Sequence, residues 1–227
     1  MNPMRLYQTH KKVLSVQNNS EKFLNGLTSN SLDQPRNAFL DIHGRIIATF
    51  DQVKIGNDEF LLALEEAYVE PLLEHVDRYA RLSKTNFVVS PRGVYFELDG
   101  DCRTDADEAL ISQKKGNLVL TNEKLPASVR EDEFTLFRLK NNIPLLGADY
   151  KNEMLLNVSE TEFVSFTKGC YLGQEPISKV HNRSKPTWKL VVKFEDECSD
   201  EEKMKMTSRA ADPVTGRVTG FVFVKNA

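Results

Sequence analysis

Hydrophobic and polar positions follow two different periods along this chain of 227 residues. Strand-like runs at 39–41 and 46–50 flank Ile42-His43-Gly44-Arg45, a glycine turn that predicts a hairpin. The same pattern predicts hairpins over 53–64 and 87–98. Apolar residues at helical spacing predict a helix over 69–82, with Pro71 in its first turn, and a shorter helix with Ser20 as its N-cap.

The order of these elements predicts the fold class. Helices and strands interleave without the regular strand–helix–strand rhythm of a doubly wound sheet, which indicates an α+β fold. An acidic stretch at 99–108 is predicted to be a loop, and helix and strand signals then alternate over 109–120 and 134–140. Strands are predicted at 188–194 and 218–224, joined by a charged, turn-rich run over 195–215. We therefore expect a main α+β region at 1–186 and a small β domain at 187–227.

Composition narrows the functional classes. The chain is 40% hydrophobic and 28% charged, which is typical of a soluble globular protein. No apolar run approaches the ~20 residues that span a bilayer, and the N-terminus does not resemble a signal peptide. Cys102, Cys170 and Cys198 are far apart in sequence, which argues against a disulfide framework and against a metal cage. We expect a cytoplasmic protein with no membrane association and no metal site.

The charge is unevenly distributed. The net charge of −3 predicts no general attraction to nucleic acid. Residues 163–189, however, carry five basic side chains and one acidic one, so this segment is +4 and the rest of the chain is −7. The segment is either a positive patch that holds an anion, such as a phosphate or a glutamyl tail, or an ordinary solvated helix face.

The segment 168–175, Lys-Gly-Cys-Tyr-Leu-Gly-Gln-Glu, has the strongest chemical signal in the chain. Gly169 and Gly173 predict a tight turn that exposes Cys170. Pro176 is tolerated only in a first helical turn, so a helix is expected from about Gly173. The N–H groups at that helix start and the ammonium of Lys168 would favour a thiolate at Cys170. The alternative is a small residue that merely packs in the turn.

This segment resembles the K-G-C-[FY]-x-G-Q-E signature of the YgfZ-type proteins, a branch of the folate-dependent aminomethyltransferase (GcvT) superfamily. Residues 23–30, 38–46 and 138–147 resemble three further family segments in the same order: F-L-Q-G-x-x-T-N, a-x-L-D-x-x-G-R-I and R-I-E-A-G-I-P-x-x-G. The resemblance spans roughly residues 5 to 195. It implies a pseudo-threefold ring of small α+β units around a central folate-type pocket, here with a shortened β C-terminal domain.

The resemblance also implies a function. YgfZ-type proteins support the assembly or repair of iron–sulfur clusters, and thereby tRNA thiolation. In this chain Cys170 would carry the thiol chemistry and Lys168 would keep it ionised. Supporting roles fall to the rest of the motif and the following helix: Gly169, Tyr171, Gly173, Gln174, Glu175 and Lys179. The expected partners are a tetrahydrofolate or related folate and iron–sulfur client proteins.

For the folate-type pocket, the resemblance suggests four residues: Asp41, Arg45, Phe134 and Glu153. From the residues alone, the default prediction for Asp41 and Arg45 is a stabilised turn, and the favoured role of Glu175 is a helix cap. Relatives hold the pterin with a carboxylate, which accepts two N–H bonds. Here Lys140 occupies the position of the glutamate in R-I-E-A-G, and His10 stands where some relatives have tryptophan.

Two other functions remain open. One is a folate-dependent aminomethyl or methyl transferase of the glycine cleavage T-protein type. The presence of Cys170 and the lysine at position 140 both argue against it. The other is a pure binding module in which Cys170 has no role.

Overall fold

The computed structural model describes residues 4–100 and 108–226, which form three antiparallel sheets and six helices. The largest sheet has five strands in the order β3-β4-β5-β2-β6. Its strands are β2 (Lys11–Gln17), β3 (Arg36–Leu40), β4 (Ile46–Gly56), β5 (Glu59–Glu65) and β6 (Asn86–Ser90). This mixture of helices and several sheets agrees with the predicted class in its coarse form.

The other two sheets are smaller. A four-stranded sheet has the order β1-β7-β9-β8, and a three-stranded sheet has the order β10-β12-β11. The strands are β1 (Leu6–Gln8), β7 (Gly93–Glu97), β8 (Ala109–Ser112), β9 (Asn117–Thr121), β10 (Trp188–Phe194), β11 (Thr207–Ala211) and β12 (Val218–Lys225). The helices are α1 (Ser20–Leu27), α2 (Val69–Ser83), α3 (Glu131–Asn141), α4 (Leu155–Val158), α5 (Gln174–Arg183) and α6 (Asp200–Lys205).

Two of the three predicted hairpins are confirmed. β3 pairs with β4, and β4 with β5, each across its predicted turn. The hairpin predicted over 87–98 is wrong, because β6 pairs with β2 while β7 pairs with β1 and β9. The segment between β6 and β7 therefore carries the chain from one sheet to another. Local alternation cannot reveal such a crossover, since both strands have the pattern of a half-buried sheet.

Two other local predictions need correction, and a third falls mostly outside the described residues. Over 109–120 the chain forms two paired strands without a helix. The run 195–215 contains α6 and the strand β11. Within the predicted acidic loop, residues 101–107, including Cys102, lie outside the described residues.

The N-terminus of α1 is capped by a residue that is distant in sequence. Ser20 is the first helical residue, and Asn19 precedes it with a left-handed φ of 55°. The carboxylate of Asp58, in the β4–β5 turn, accepts the backbone N–H groups of Asn19 (2.6 Å) and Ser20 (2.8 Å) and the Ser20 hydroxyl (2.7 Å). The predicted N-cap role of Ser20 is therefore performed by Asp58, which ties α1 to the adjacent hairpin.

The main core joins the five-stranded sheet to helices and to the C-terminal sheet. Leu14, Phe39 and Leu62 of the large sheet lie in one buried cluster with Ile177 of α5 and Phe221 of β12. A second cluster lies between the two larger sheets and α3. None of the helices in the described ranges combines the length and the apolar composition that crossing a bilayer requires.

Candidate functional site

The cysteine motif forms a loop that leads into α5. Gly173 adopts φ +80°, and a Cβ on it would lie 2.3 Å from the carbonyl oxygen of Asp41. Only glycine allows both this conformation and this approach. The N–H of Leu172 donates to the carbonyl of Gly26 at 3.0 Å. The loop is thus held between the end of α1 and the β3–β4 turn, and α5 begins at Gln174, one residue after the predicted start.

The two described cysteines have opposite environments. Cys170 is exposed, and a Cβ on the neighbouring Gly169 would meet no atom within 4 Å. Cys198 is buried, its thiol donates to the carbonyl of Phe194 at 3.3 Å, and burial raises its pKa. The predicted exposure of Cys170 is therefore observed, and a reagent or partner can reach this thiol without a change in the fold.

The Lys168 ammonium, which we expected beside the Cys170 thiol, is instead bonded to backbone carbonyl groups. Its ammonium donates to the carbonyl oxygens of Thr28 (2.6 Å) and Asn30 (2.9 Å) and lies 5.3 Å from the centroid of the Tyr171 ring. Burial lowers the Lys168 pKa to about 8. Within the described ranges no hydrogen bond joins this ammonium to Cys170. The observed contacts fasten the loop to the segment that follows α1.

Among the remaining motif residues, Tyr171 is buried, whereas Glu175 and Lys179 are exposed. Tyr171 is buried, which raises its pKa to about 12. Gln174 is half-buried at the start of α5. Glu175 and Lys179 are exposed one helical turn apart, with Glu175 in the first turn, where a negative charge complements the helix dipole.

Asp41 and Arg45 stabilise the β3–β4 turn. A carboxylate oxygen of Asp41 accepts the backbone N–H groups of His43 (2.8 Å) and Arg45 (2.9 Å). The Arg45 guanidinium donates to the carbonyl of Asn152 at 2.7 Å. This geometry fits the turn interpretation of the two residues.

Glu153 belongs to the same neighbourhood. Its carbonyl accepts the N–H of Ile46 at 2.9 Å, and its carboxylate accepts the side-chain amide of Asn157 at 3.3 Å. The expectation that Asp41, Arg45 and Glu153 share a central pocket with Phe134 is therefore corrected. Only Phe134 lines the central cavity described next.

The central cavity has a volume of about 380 Å³ and is lined by all three sheets and by α3. One wall is aromatic: the Tyr7 and Phe134 rings stack with centroids 4.0 Å apart, and Phe96 packs on Phe134 at 5.3 Å. Ser208 and Arg209 of the C-terminal sheet contribute to the lining. Cavities of this size and character commonly hold small ligands.

The cavity is also lined by charged side chains that are already paired. The Lys11 ammonium lies 3.2 Å from Asp51 and 3.1 Å from Glu65. Burial opposes the charge on Lys11, but the fields of Glu65 and Asp51 outweigh it and raise the Lys11 pKa. The Tyr7 hydroxyl donates to Glu131, and burial together with this bond raises the Tyr7 pKa. The three carboxylates of the lining therefore have donors within the protein.

Three buried N–H groups of the lining residues have no hydrogen-bond acceptor within residues 4–100 and 108–226: Arg36 Nε, Gln113 Nε2 and Arg138 Nε. Arg36 Nε nevertheless lies 3.5 Å from the Asp51 carboxylate and is ion-paired with it. All three residues line this one cavity. The other nitrogens of Arg138 are engaged, one with Asp149 at 2.8 Å and one with Ser208 at 2.8 Å. A buried donor left unpaired costs on the order of 1–3 kcal/mol, but these nitrogens are fully buried and none of them faces the open volume of the cavity.

Sequence reasoning missed most of this cavity. Arg138 was recognised only as part of a family segment, and Lys11, Arg36 and Gln113 gave no signal. Lys11 and Arg36 lie on separate strands, Gln113 follows another strand and Arg138 lies on a helix. Only the packing of the sheets brings them together. His10, noted for its alignment with tryptophan in relatives, does line the cavity, whereas Lys140 is exposed and lies 3.8 Å from Asp212.

Comparison with known proteins finds relatives at 25–27% sequence identity. No model of a known protein family matches the sequence. The chain is 25% identical to an uncharacterised protein of Haemophilus influenzae, over 94% of this chain and 82% of that protein. It is 27% identical to the mitochondrial iron–sulfur cluster assembly factor IBA57 homologue of Dictyostelium discoideum and 26% identical to the tRNA-modifying protein YgfZ of Aliivibrio fischeri.

These last two matches are partial. They cover 56% and 63% of this chain, and only 38% and 54% of the respective relatives. Among solved structures, the fold is similar to glycine cleavage system aminomethyltransferase T from Bartonella henselae, with a TM-score of 0.72 over 98% of this chain and 78% of that one. At 11% identity this likeness concerns the fold alone.

Proposed function

We propose that this chain is a YgfZ-type protein, from its sequence similarity to the IBA57 and YgfZ relatives and its aminomethyltransferase T fold, and that it supports the assembly or repair of iron–sulfur clusters in client proteins. An effect on tRNA methylthiolation would follow indirectly, through enzymes that need such clusters. Cys170 supplies the working thiol in this proposal, and the central cavity holds a folate-type ligand. The proposed setting is the cytoplasm, with no direct contact to nucleic acid.

The proposed role of Cys170 rests on one observation: its thiol is exposed on a loop that is held in place on both sides. The loop around it is fastened at three points, by Lys168 to the segment after α1, by Leu172 to Gly26 and by Gly173 to the β3–β4 turn. Fixing a loop on both sides while leaving its thiol exposed suits a residue that meets an external group. A residue that only packs in a turn would be covered.

The cavity fits a folate-type ligand in two respects. Its volume suits a small flat molecule, and its aromatic wall at Tyr7 and Phe134 suits a ring system. Such a ligand would supply a carrier for one-carbon groups. The protein's part would be to orient the ring and exclude water from it.

Two finer features of the architecture belong to the same proposal. One is a pseudo-threefold ring of small α+β units around the cavity, which the contribution of all three sheets to the lining supports. The other is the division between a main region ending at 186 and a C-terminal β domain from 187.

The thiol part is tested by complementation of a bacterium that lacks its own YgfZ. The wild-type chain, Cys170→Ala and the matched control Cys198→Ala are expressed at equal levels, and an iron–sulfur enzyme and tRNA methylthiolation are assayed. We expect rescue by the wild type and by the Cys198 variant, and loss of rescue in the Cys170 variant. Equal rescue by all three chains would refute a role for the exposed thiol.

The ligand part is tested by thermal denaturation with tetrahydrofolate. A ligand that binds only the folded state stabilises it by RT ln(1 + [L]/Kd), so saturating folate should raise the melting temperature. Phe134→Leu, which removes the central ring of the aromatic wall but keeps an apolar side chain, should reduce the shift. Absence of any shift at millimolar tetrahydrofolate would remove folate from the proposal.

A further inference from the structure

The five-stranded sheet ends at β6 in an open, apolar edge. β6 is the last strand in the order β3-β4-β5-β2-β6, and within the described ranges no strand pairs with its outer side. Val88 and Val89 are 51% and 55% exposed, although neighbouring residues of a strand point to opposite faces of the sheet. Both faces of this edge therefore present apolar side chains to solvent.

The other edge strands have features that discourage pairing with another chain. Charged side chains and very short strands are the usual protection of a sheet edge. β3 contains Arg36, β10 contains Lys189 and Lys193, and β11 contains Arg209. β1 and β8 have only three and four residues. β6, with the sequence Asn-Phe-Val-Val-Ser, contains no charged residue and no proline, so nothing in its composition opposes pairing.

The sheet register shows which backbone groups of β6 point outward. The N–H of Glu66 donates to the carbonyl of His10 at 3.1 Å, in the same register in which β2 pairs with β5. Since bonded positions alternate along an antiparallel pair, the even-numbered residues of β2 bond to β5 and the odd-numbered ones to β6. Their partners on β6 are Asn86, Val88 and Ser90. The N–H and C=O groups of Phe87 and Val89 therefore point away from the sheet.

These outward groups are complementary to themselves. Phe87 and Val89 are placed symmetrically about Val88, so a two-fold axis at Val88 puts Phe87 of one copy opposite Val89 of a second copy. Both of these pairs can exchange both of their N–H···O bonds. Val88 then faces Val88 of the second copy at a non-hydrogen-bonded position, where the Cα atoms lie about 4.5 Å apart.

A groove along the same edge can accept a side chain of the second copy. It has a volume of about 630 Å³, lies between α2 and β6, and is lined by Leu73, Val76, Ala80 and Phe87 among others. Directly opposed residues of an antiparallel pair project from the same face of the sheet. Val89 of the second copy would therefore project beside Phe87, at this groove.

We propose that two copies of this chain associate through antiparallel pairing of their β6 strands about a two-fold axis at Val88, so that two five-stranded sheets become one continuous sheet. A second copy fits the edge because it supplies, in one register, an acceptor or donor for every backbone group that Phe87 and Val89 turn outward. Such a short strand pair is a small interface, so we expect a weak dimer with a dissociation constant on the order of 10–100 µM. The inference does not depend on the proposed function.

Sedimentation equilibrium tests the dimer over concentrations from about 5 to 500 µM, which span the expected dissociation constant. Val88→Lys places like charges directly opposite each other at the axis. Val89→Pro removes an outward N–H and leaves the bonds to β2 in place, a position where edge strands tolerate proline. Val89→Thr is the matched control, because threonine has nearly the same shape as valine and keeps the N–H.

We expect the wild type and Val89→Thr to dimerise as the concentration rises. Val88→Lys and Val89→Pro should stay monomeric, and at the lowest concentration each should melt cooperatively like the wild type. A wild type that remains monomeric throughout would overturn the proposal and leave the edge to some other extended chain. Dimers that survive in either folded variant would also overturn it, because they would form through another face.

Disulfide cross-linking tests the register in a Cys170→Ala background. The Cα separation at the axis is within the range that a disulfide spans, so Val88→Cys should form linked dimers on oxidation with diamide. Asn86→Cys is the matched control: residue 86 lies opposite Ser90 of the second copy, so the two introduced thiols are about 13 Å apart along the strands. Equal cross-linking of the two variants, or none in Val88→Cys, would overturn the symmetric register.

Discussion

Substitution of Gly173 by alanine tests how the fold presents the thiol loop. Gly173 lies at φ +80°, and its missing Cβ would stand 2.3 Å from the Asp41 carbonyl oxygen and 3.1 Å from the Leu40 Cβ. The left-handed conformation costs an alanine roughly 1–2 kcal/mol. Relief of the backbone clash requires movement of the loop or the β3–β4 turn, and such overpacking costs roughly 1–3 kcal/mol. We expect a total loss of about 3 kcal/mol.

Gly169→Ala is the matched control in the same motif. A Cβ at Gly169 meets no atom within 4 Å, and its φ lies outside the left-handed region. Alanine there should leave stability unchanged or raise it by up to about 1 kcal/mol, through reduced entropy of the unfolded chain.

Both variants are measured by urea unfolding and by thermal denaturation. For a chain of this length, a loss of about 3 kcal/mol corresponds to a fall of roughly 6–12 °C in melting temperature. Gly173→Ala should show this fall and Gly169→Ala should not. If the two variants lost equal stability, or if Gly173→Ala stayed within about 0.5 kcal/mol of the wild type, the close packing of the loop on the turn would be refuted.

Two further predictions concern groups that hold the thiol loop and α1. Because burial lowers the Lys168 pKa to about 8 from 10.5, the folded protein releases this proton before the unfolded chain does. The stability of the wild type relative to Lys168→Met should therefore rise between pH 8 and 10.5, as followed by urea midpoints; a flat difference would contradict the burial of the charge. Asp58→Ala should lower the urea midpoint and speed amide exchange in the first turn of α1, since its carboxylate accepts three hydrogen bonds there. Unchanged exchange would show that α1 does not depend on this cap.

The sequence allowed prediction of those turns and helices that are determined by a few neighbouring residues. The hairpin turn at Gly44, the α2 helix with Pro71 in its first turn and the α5 helix after Gly173 follow from backbone preferences that a few residues determine. The exposure of Cys170 followed from the same kind of reasoning.

Features with nonlocal causes were not predictable in this way. The crossover between β6 and β7 depends on which sheet completes each strand, and the Asp58 cap depends on a hairpin folding back onto α1. The Lys168 ammonium was expected beside the thiol because the two residues are close in sequence, yet its nearest acceptors come from around residues 28–30.

The most direct test of the central claim, that the fold presents Cys170 as its working thiol, is the alkylation rate of each cysteine at neutral pH. Iodoacetamide labelling of the folded chain is followed by peptide mass spectrometry, with the urea-unfolded chain as reference for each site. We expect Cys170 to label within a few-fold of its unfolded rate. Cys198, buried and bonded to Phe194, should be slowed by about tenfold or more. Protection of Cys170 equal to that of Cys198 would contradict the account.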